Sequence, residues 1–195
     1  MLKTLLILFT FSFFANFSLA QDLKPLGKYF YTISYFGEKV FHPGVQISVN
    51  RSQYISKNIN NQKNRLVIGF SISNYVYPKN HFGLRLTPNV SFLHANDKGF
   101  EYGLKSGAGF MRRFYHGKVF EVDDYGNVEQ KYLAGQNAFT YEASIVLAKN
   151  WYTHKKKNIR LFLEFGGFKE TNYNESSLFH PVVNIGISKY FNMKK

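Results

Sequence analysis

The chain has 195 residues, no cysteine, and 25 Lys and Arg against 12 Asp and Glu, a formal charge of +13. Lack of cysteine excludes a disulfide framework and the thiol that a lipoprotein anchor needs. Aromatic residues make up 18% of it, with 21 Phe and 14 Tyr but one Trp, and beyond the N-terminus no run approaches the apolar length of a spanning helix.

Met1 to Lys3 is short and positively charged, and Leu5 to Phe14 is apolar. Ser18 and Ala20 then supply small residues at the −3 and −1 positions of a cleavage point, so residues 1–20 read as a secretory signal and the mature chain starts near Gln21. The apolar run is too short for a membrane anchor. Without Lys3 the mature chain carries a formal +12. In the cytosol such a charge points to nucleic acid. An exported chain meets lipopolysaccharide phosphates and anionic headgroups instead, so no nucleic-acid partner is expected.

From there the dominant period is two. The segment 28–36 is β-rich. Val45, Ile47 and Val49 alternate with Gln46, Ser48 and Asn50; Leu66, Ile68, Phe70 and Ile72 with Val67, Gly69, Ser71 and Ser73. Leu84, Leu86, Val90 and Phe92 alternate with Arg85, Thr87, Asn89 and Ser91, and 99–115 is again β-rich. Phe139, Tyr141, Ala143, Ile145 and Leu147 alternate with Thr140, Glu142 and Ser144; Ile159, Leu161, Leu163 and Phe165 with Arg160, Phe162, Glu164 and Gly166; Val183, Ile185 and Ile187 with Asn184, Gly186 and Ser188. The prediction is an all-β chain, residues 21–195 forming a single antiparallel up-and-down transmembrane β-barrel of about eight strands in the outer membrane.

An even count returns both ends to one side. Turns are then expected at 52–64 (long for its side), 95–98 and 153–158, and outer loops at 37–43, 78–81, 115–137 and 170–177. Within the longest, Val119 to Val122 and Val128 to Leu133 flank Asp123-Asp124-Tyr125-Gly126-Asn127 and read as a protruding hairpin.

A soluble sandwich or a lipocalin-like barrel also alternates, with its apolar face inward. The polar face here is rich in small residues (Gly69, Ser71, Gly103, Gly107, Gly109, Gly186), as a narrow interior needs. The large residues on it, Arg85, Glu101, Lys105, Arg113, Glu142, Arg160 and Glu164, carry both signs and are predicted to pair as a luminal ion ladder, since an unpaired buried charge is costly. Tyr29, Tyr35, Tyr75, Tyr77, Phe82, Phe114, Trp151, Tyr152, Phe179 and Tyr190 fall near strand ends and are assigned to two interfacial girdles.

The last strand, Val182 to Phe191, resembles the closing strand of outer-membrane β-barrels, which ends near a terminal aromatic that the assembly machinery reads. Gly186, Tyr190 and Phe191 stand at the places that carry this signal, although Asn192 to Lys195 follow and Lys189 sits where an apolar residue is usual. At the level of pattern, residues 28–191 are similar to the small porin-like and OmpA-like barrels of the Bacteroidota. The resemblance implies fold and location, not chemistry.

Chemical motifs are sparse. His42, His81, His94, His116, His154 and His180 show no metal-ligand spacing and no carboxylate pairing on a shared face, and read as loop or interface histidines. Ser106-Gly107-Ala108-Gly109 lacks the ending and the helix of a phosphate loop. A barrel enzyme modifying lipid A needs Ser, His and an acid together on the outer rim. Ser91, His94 and Glu101 do not meet that geometry, whereas His116 or His180 with Ser176 or Ser177 is better placed. Lys155 to Lys157 is a solvated turn, and Glu121, Asp123 and Asp124 are a weak divalent-cation cluster. No catalytic residue, cofactor or metal site is predicted. The expectation is a non-enzymatic barrel with a polar, largely filled lumen, acting in envelope structure or surface binding through its outer loops. Its partners are outer-membrane lipids and lipopolysaccharide, the barrel-assembly machinery, and an unidentified surface or envelope protein.

Overall fold

The two-residue alternation builds strands throughout. The computed structural model describes residues 29–57, 63–96, 98–151, 158–173 and 176–191, and every regular element among them is a strand. They are β1 (Tyr29–Glu38), β2 (His42–Lys57), β3 (Lys63–Tyr77), β4 (His81–Ala95), β5 (Phe100–Tyr115), β6 (Val119–Val122), β7 (Val128–Lys131), β8 (Gly135–Asn150), β9 (Ile159–Tyr173) and β10 (Ser176–Phe191). The signal segment 1–20, Tyr152, His154 and Lys155 to Lys157 lie outside the described residues.

Eight strands form a closed antiparallel barrel in the ring order β1-β10-β9-β8-β5-β4-β3-β2, and β6 and β7 form a separate two-stranded sheet. Each barrel strand pairs with its sequence neighbour, the hairpin being bypassed between β5 and β8. Ten pairs from Tyr29↔Phe191 to Glu38↔Val182 close the seam between β1 and β10. Among the described residues the ring therefore has no free sheet edge.

The strands are longer than the alternation predicted. β2 continues to Lys57 and β3 begins at Lys63, so 52–57 and 63–64 of the long turn expected at 52–64 are strand. β1 reaches Glu38 and β9 and β10 cover 159–173 and 176–191, so most of the loops expected at 37–43 and 170–177 are ladder. The hairpin falls where expected, between Tyr115 and Gly135. Tyr115 donates its N–H to the Ala134 carbonyl at 2.9 Å, and Arg112 clamps the base through Asn137 Oδ1 at 2.8 Å and the Leu133 carbonyl at 3.2 Å. Its tip turns at Gly126, whose φ of +83° suits a residue without Cβ.

The apolar face points outward, the reverse of the soluble alternative. Ile33, Ile47, Ile68, Ile145 and Ile187 are 51–55% exposed, while Thr32, Ser48, Ser71, Arg85 and Ser188 between or beside them are buried. On β8 the outward apolar series runs from Phe139 to Leu147, bounded by Asn137 and Lys149. On β10 it runs from Phe179 to Ile187, bounded by Ser177 and Lys189. Nine residues of strand, tilted as barrel strands are, span about 23 Å, close to the height of an apolar barrel belt.

Small inward residues give space to large ones. A Cβ on Gly83 would lie 2.3 Å from the Tyr75 ring, and one on Gly186 would lie 2.4 Å from Ser34 Cβ and 2.8 Å from the Phe162 ring. Gly186 sits on the closing seam, so a branched side chain there pushes β10 from β1. Gly186→Val is expected to abolish the compact, heat-modifiable gel band of a closed barrel. A variant that keeps the band would show that the seam tolerates the bulk.

Candidate functional site

The inward face of β9 shows how the lumen is filled: Arg160, Phe162, Glu164, Gly166, Phe168 and Glu170 follow one another, so charge and ring alternate along the axis. Around the barrel this produces three charged groups separated by two apolar clusters.

At the Tyr29/Phe191 end, Glu101 is held between two guanidinium groups. Arg65 Nη2 lies 2.5 Å from its Oε1 and Arg160 Nε 2.8 Å from its Oε2, with Asn150 Nδ2 donating to Oε1 at 2.9 Å. The Tyr190 hydroxyl accepts from Asn150 at 2.8 Å and from Arg65 at 3.2 Å. Phe30, Val67, Leu93, Val146 and Tyr190 pack beside this group. In the middle, Glu142 receives Arg85 at 2.9 Å and Lys105 at 3.5 Å, while Glu164 receives Lys105 at 3.2 Å and Asn184 Nδ2 at 3.0 Å. The Arg85 guanidinium lies 3.9 Å from the centre of the Phe168 ring, within the second cluster of Phe36, Tyr75, Met111, Ala138, Phe168 and Val182.

At the hairpin end, His180 stands between two carboxylates: Nδ1 is 2.6 Å from Glu38 Oε1 and Nε2 is 3.1 Å from Glu170 Oε2. Arg113 Nε lies 3.0 Å from Glu170 Oε1, and His42 bonds the other Glu38 oxygen. The imidazole stacks on Phe168 with ring centres 4.3 Å apart at 7°. Both ring nitrogens thus face carboxylate oxygens, and the three side chains form a buried triad. It ties β1, β9 and β10 together across the seam.

All seven predicted ladder residues, Arg85, Glu101, Lys105, Arg113, Glu142, Arg160 and Glu164, face inward and take part in ion pairs. Arg65, Glu170, Glu38 and His180 complete these groups and were missed: Glu38 and Glu170 fall in the loops expected at 37–43 and 170–177, and Arg65 and His180 just outside the alternating runs. Continuing the alternation two residues past Val67, Phe168, Phe36 and Val182 locates each. Five inward cations (Arg65, Arg85, Lys105, Arg113, Arg160) then face five inward glutamates (Glu38, Glu101, Glu142, Glu164, Glu170).

The structure corrects several other expectations. His180 is 3% exposed inside the barrel, not on a rim loop, and His81 is buried with Nε2 at 3.3 Å from the Tyr75 hydroxyl. With both nitrogens of His180 engaged by glutamates, it has none for Ser176 or Ser177. Carboxylate pairing of His42 and His180, absent from the sequence reading, arises across a turn and across strands. Tyr75 and Tyr190, assigned to the girdles, are 1% and 3% exposed and fill the lumen. Of the closing-strand signal, Gly186 and Tyr190 point inward, and Phe191 points outward against Tyr29 with ring centres 6.1 Å apart. Ser91 faces the lumen and His94 bonds Asn64 Oδ1 at 2.8 Å near the outer surface, so the Ser91, His94, Glu101 set does not converge. No group of three metal-ligating side chains is present among the described residues.

Two cavities among the described luminal residues measure about 30 and 20 Å³, each room for a water or two. The acidic residues of the hairpin are largely occupied by its own turn. Asp123 Oδ1 accepts from Tyr125 N at 2.9 Å and Asn127 N at 2.8 Å, Oδ2 accepts from Asn127 Nδ2 at 2.8 Å, and Lys131 Nζ is 2.6 Å from Glu121 Oε2.

No protein-family model matches the sequence, and no curated protein does. Among solved structures the chain is similar to the N-terminal β-barrel domain of Pseudomonas aeruginosa OprF, at 10% identity and a TM-score of 0.42, over 83% of this chain and 97% of that one. It is also similar to the β domain of the Bordetella autotransporter Brka, at 9% identity and a TM-score of 0.28, over 84% of this chain and 98% of that one. The closed barrel is established by this chain's own strand pairing.

Two outcomes follow from the charged groups. Glu101→Gln leaves Arg65 and Arg160 buried without a counter-charge and is expected to cost ~3–5 kcal/mol in denaturant unfolding of the refolded barrel; a loss below ~1 kcal/mol would mean that the pairs do not hold the lumen. Hydrogen bonds from the Asn127 side chain and backbone hold the Asp123 carboxyl below its ordinary value. A lowered native value makes the turn stable above the unfolded pKa of ~3.9 and weakens it as pH falls through the native value. The Tyr125 and Asn127 amide resonances should therefore stay fixed down to that pH and shift only below it.

Proposed function

We propose that this chain is a non-enzymatic β-barrel of the outer membrane whose side-chain-filled lumen serves stability, and whose function lies in binding at the hairpin end. The carrying observation is the outward belt of apolar side chains, nine residues tall on β8 and β10, around an interior holding ten charged groups. A barrel in water exposes the charges and hides the apolar face; only a lipid surround favours this inversion.

The flanks of the belt fit the same reading. Arg51, Lys98, Lys149 and Lys189 lie at the Tyr29/Phe191 end, and Lys39, Lys79, Arg112 and Lys169 at the hairpin end. Both sets suit anionic headgroups and lipopolysaccharide phosphates. Recognition by the barrel-assembly machinery through Gly186, Tyr190 and Phe191, export through residues 1–20, and kinship with the small barrels of the Bacteroidota belong to this reading. Against catalysis stand the commitment of His180 to two glutamates and the separation of Ser91 from His94. Against a solute pore stand the two small cavities.

The expected result is a detergent-extracted outer-membrane band that changes mobility on boiling, from a protein that gives no steady ion current in planar bilayers. Release with soluble periplasmic contents and no heat shift would overturn the membrane reading. Steady conductance from the purified barrel would overturn the filled lumen.

A further inference from the structure

The β6–β7 hairpin stands apart from the barrel sheet. Its register pairs Val119↔Lys131, Phe120↔Gln130, Glu121↔Glu129 and Val122↔Val128. Alternation then gives it two unlike faces. Phe120, Val122, Val128 and Gln130 share one, the first three exposed by 55%, 62% and 63%. Val119, Glu121, Glu129 and Lys131 share the other, beside an open groove of about 290 Å³ that Asp123 and Asn127 also line.

Its edges are open too. Asp123 N donates to the Asn127 carbonyl at 3.0 Å, which makes Asp123 and Asn127 a hydrogen-bonded pair. Such pairs alternate along an antiparallel ladder, so Glu121 and Glu129 bond each other while the backbone groups of Phe120 and Val122 on β6, and of Val128 and Gln130 on β7, point away from the hairpin. Two strands of four residues with both edges free and one apolar face bare are poorly stable alone in water. The Asp123 turn and the Arg112 clamp hold them ready to accept a third.

Resting on the membrane-barrel reading above, we propose that the hairpin is a docking edge for an extended cationic segment of another protein, one that alternates basic and apolar side chains. Charge decides the occupant. Residues 119–131 carry Glu121, Asp123, Asp124 and Glu129 against Lys131 alone, a local −3 on a chain of +13. Glu121 and Glu129 sit directly opposite one another; Lys131 covers Glu121, and Glu129 has no ion-pair partner among the described residues. Like charges directly opposite are unfavourable and are relieved by a cation laid beside them. A second copy of the hairpin would bring another −3, and lipopolysaccharide more negative charge. An added strand with lysine or arginine at every second position meets Glu121 and Glu129 on one face, and its intervening apolar residues extend the Phe120, Val122 and Val128 face on the other.

The test uses the full chain refolded in detergent micelles and a fluorescent peptide of alternating lysine and valine, read by anisotropy. Saturable binding is expected. It should weaken roughly tenfold or more in the Glu121→Lys, Glu129→Lys double variant, and likewise for a backbone-N-methylated peptide that is unable to join the ladder. Val122→Pro removes an outward-facing N–H, spares the β6–β7 bonds, and should weaken binding to a similar degree. Each variant is first shown to give the heat-modifiable band. Undiminished binding of the N-methylated peptide, or by the charge-reversed variant, overturns the proposal. So does self-association of the unliganded chain that Val122→Pro abolishes, which would make the occupant a second copy. A normal band with no saturable binding rejects the docking edge alone, whereas peptide binding by a chain without the band rejects the membrane reading and keeps the edge.

Discussion

Closing eight strands into a ring pairs the ladder groups all the way round and leaves an interior only wide enough for side chains. Everything inside this molecule answers that constraint. Each large inward group needs a small neighbour, so Tyr75 lies over Gly83 and Phe162 over Gly186. Each inward charge needs a partner within reach, because few waters fit to screen it. The partners come from distant parts of the chain: Arg65 and Arg160 meet on Glu101, and Lys105 bridges Glu142 and Glu164. Those contacts join strands that are adjacent or two apart in the ring, and the Glu38–His180 bond joins β1 to β10 across the seam. A slipped register would strand the same charges unpaired. Buried pairs add little net stability over apolar packing; their worth here is that one register satisfies them.

The outer surface is free of that demand and obeys a simpler one. Its outward positions are mostly apolar and give way to Lys, Arg and Asn near several strand ends, as at Arg51, Asn137, Lys149 and Lys189. The Phe, Tyr and Ile residues so placed explain how a chain with 45% hydrophobic residues buries few of them. The basic residues gather at the two rims instead of on one patch, an arrangement that fits two sheets of anionic headgroups better than a single polyanionic ligand.

Period-two alternation made the middle of six barrel strands legible from the sequence, with β1 and β5 read only as β-rich segments, and a one-residue error of phase would have put Arg85 and Glu142 outside. The strand ends were not legible. Lys57 and Lys63, or Thr171 and Tyr173, carry no apolar partner to continue the pattern, and a polar strand that projects beyond the apolar belt looks like a loop. Glu38 and Glu170 sit on such ends, and Arg65 and His180 just outside the alternating runs, which is why the group at the hairpin end was missed almost entirely. Tyr75 and Tyr190 failed for another reason. A tyrosine near a strand end suits an interface and a lumen plug equally, and only its parity relative to Ser73 or Ser188 separates the two.

The triad at the hairpin end and the hairpin itself divide the work at that mouth. Glu38, His180 and Glu170 lock β1, β9 and β10 on one side of the ring, while Arg112 fixes the hairpin base between β5 and β8. The lock is buried, with both His180 nitrogens engaged by glutamates. The hairpin is exposed and has backbone groups to spare. That hairpin is a short acidic ladder held at its base by Arg112. Recognition by backbone addition suits such an element, since two four-residue strands offer too little side-chain surface for a standard interface but a complete set of edge donors and acceptors.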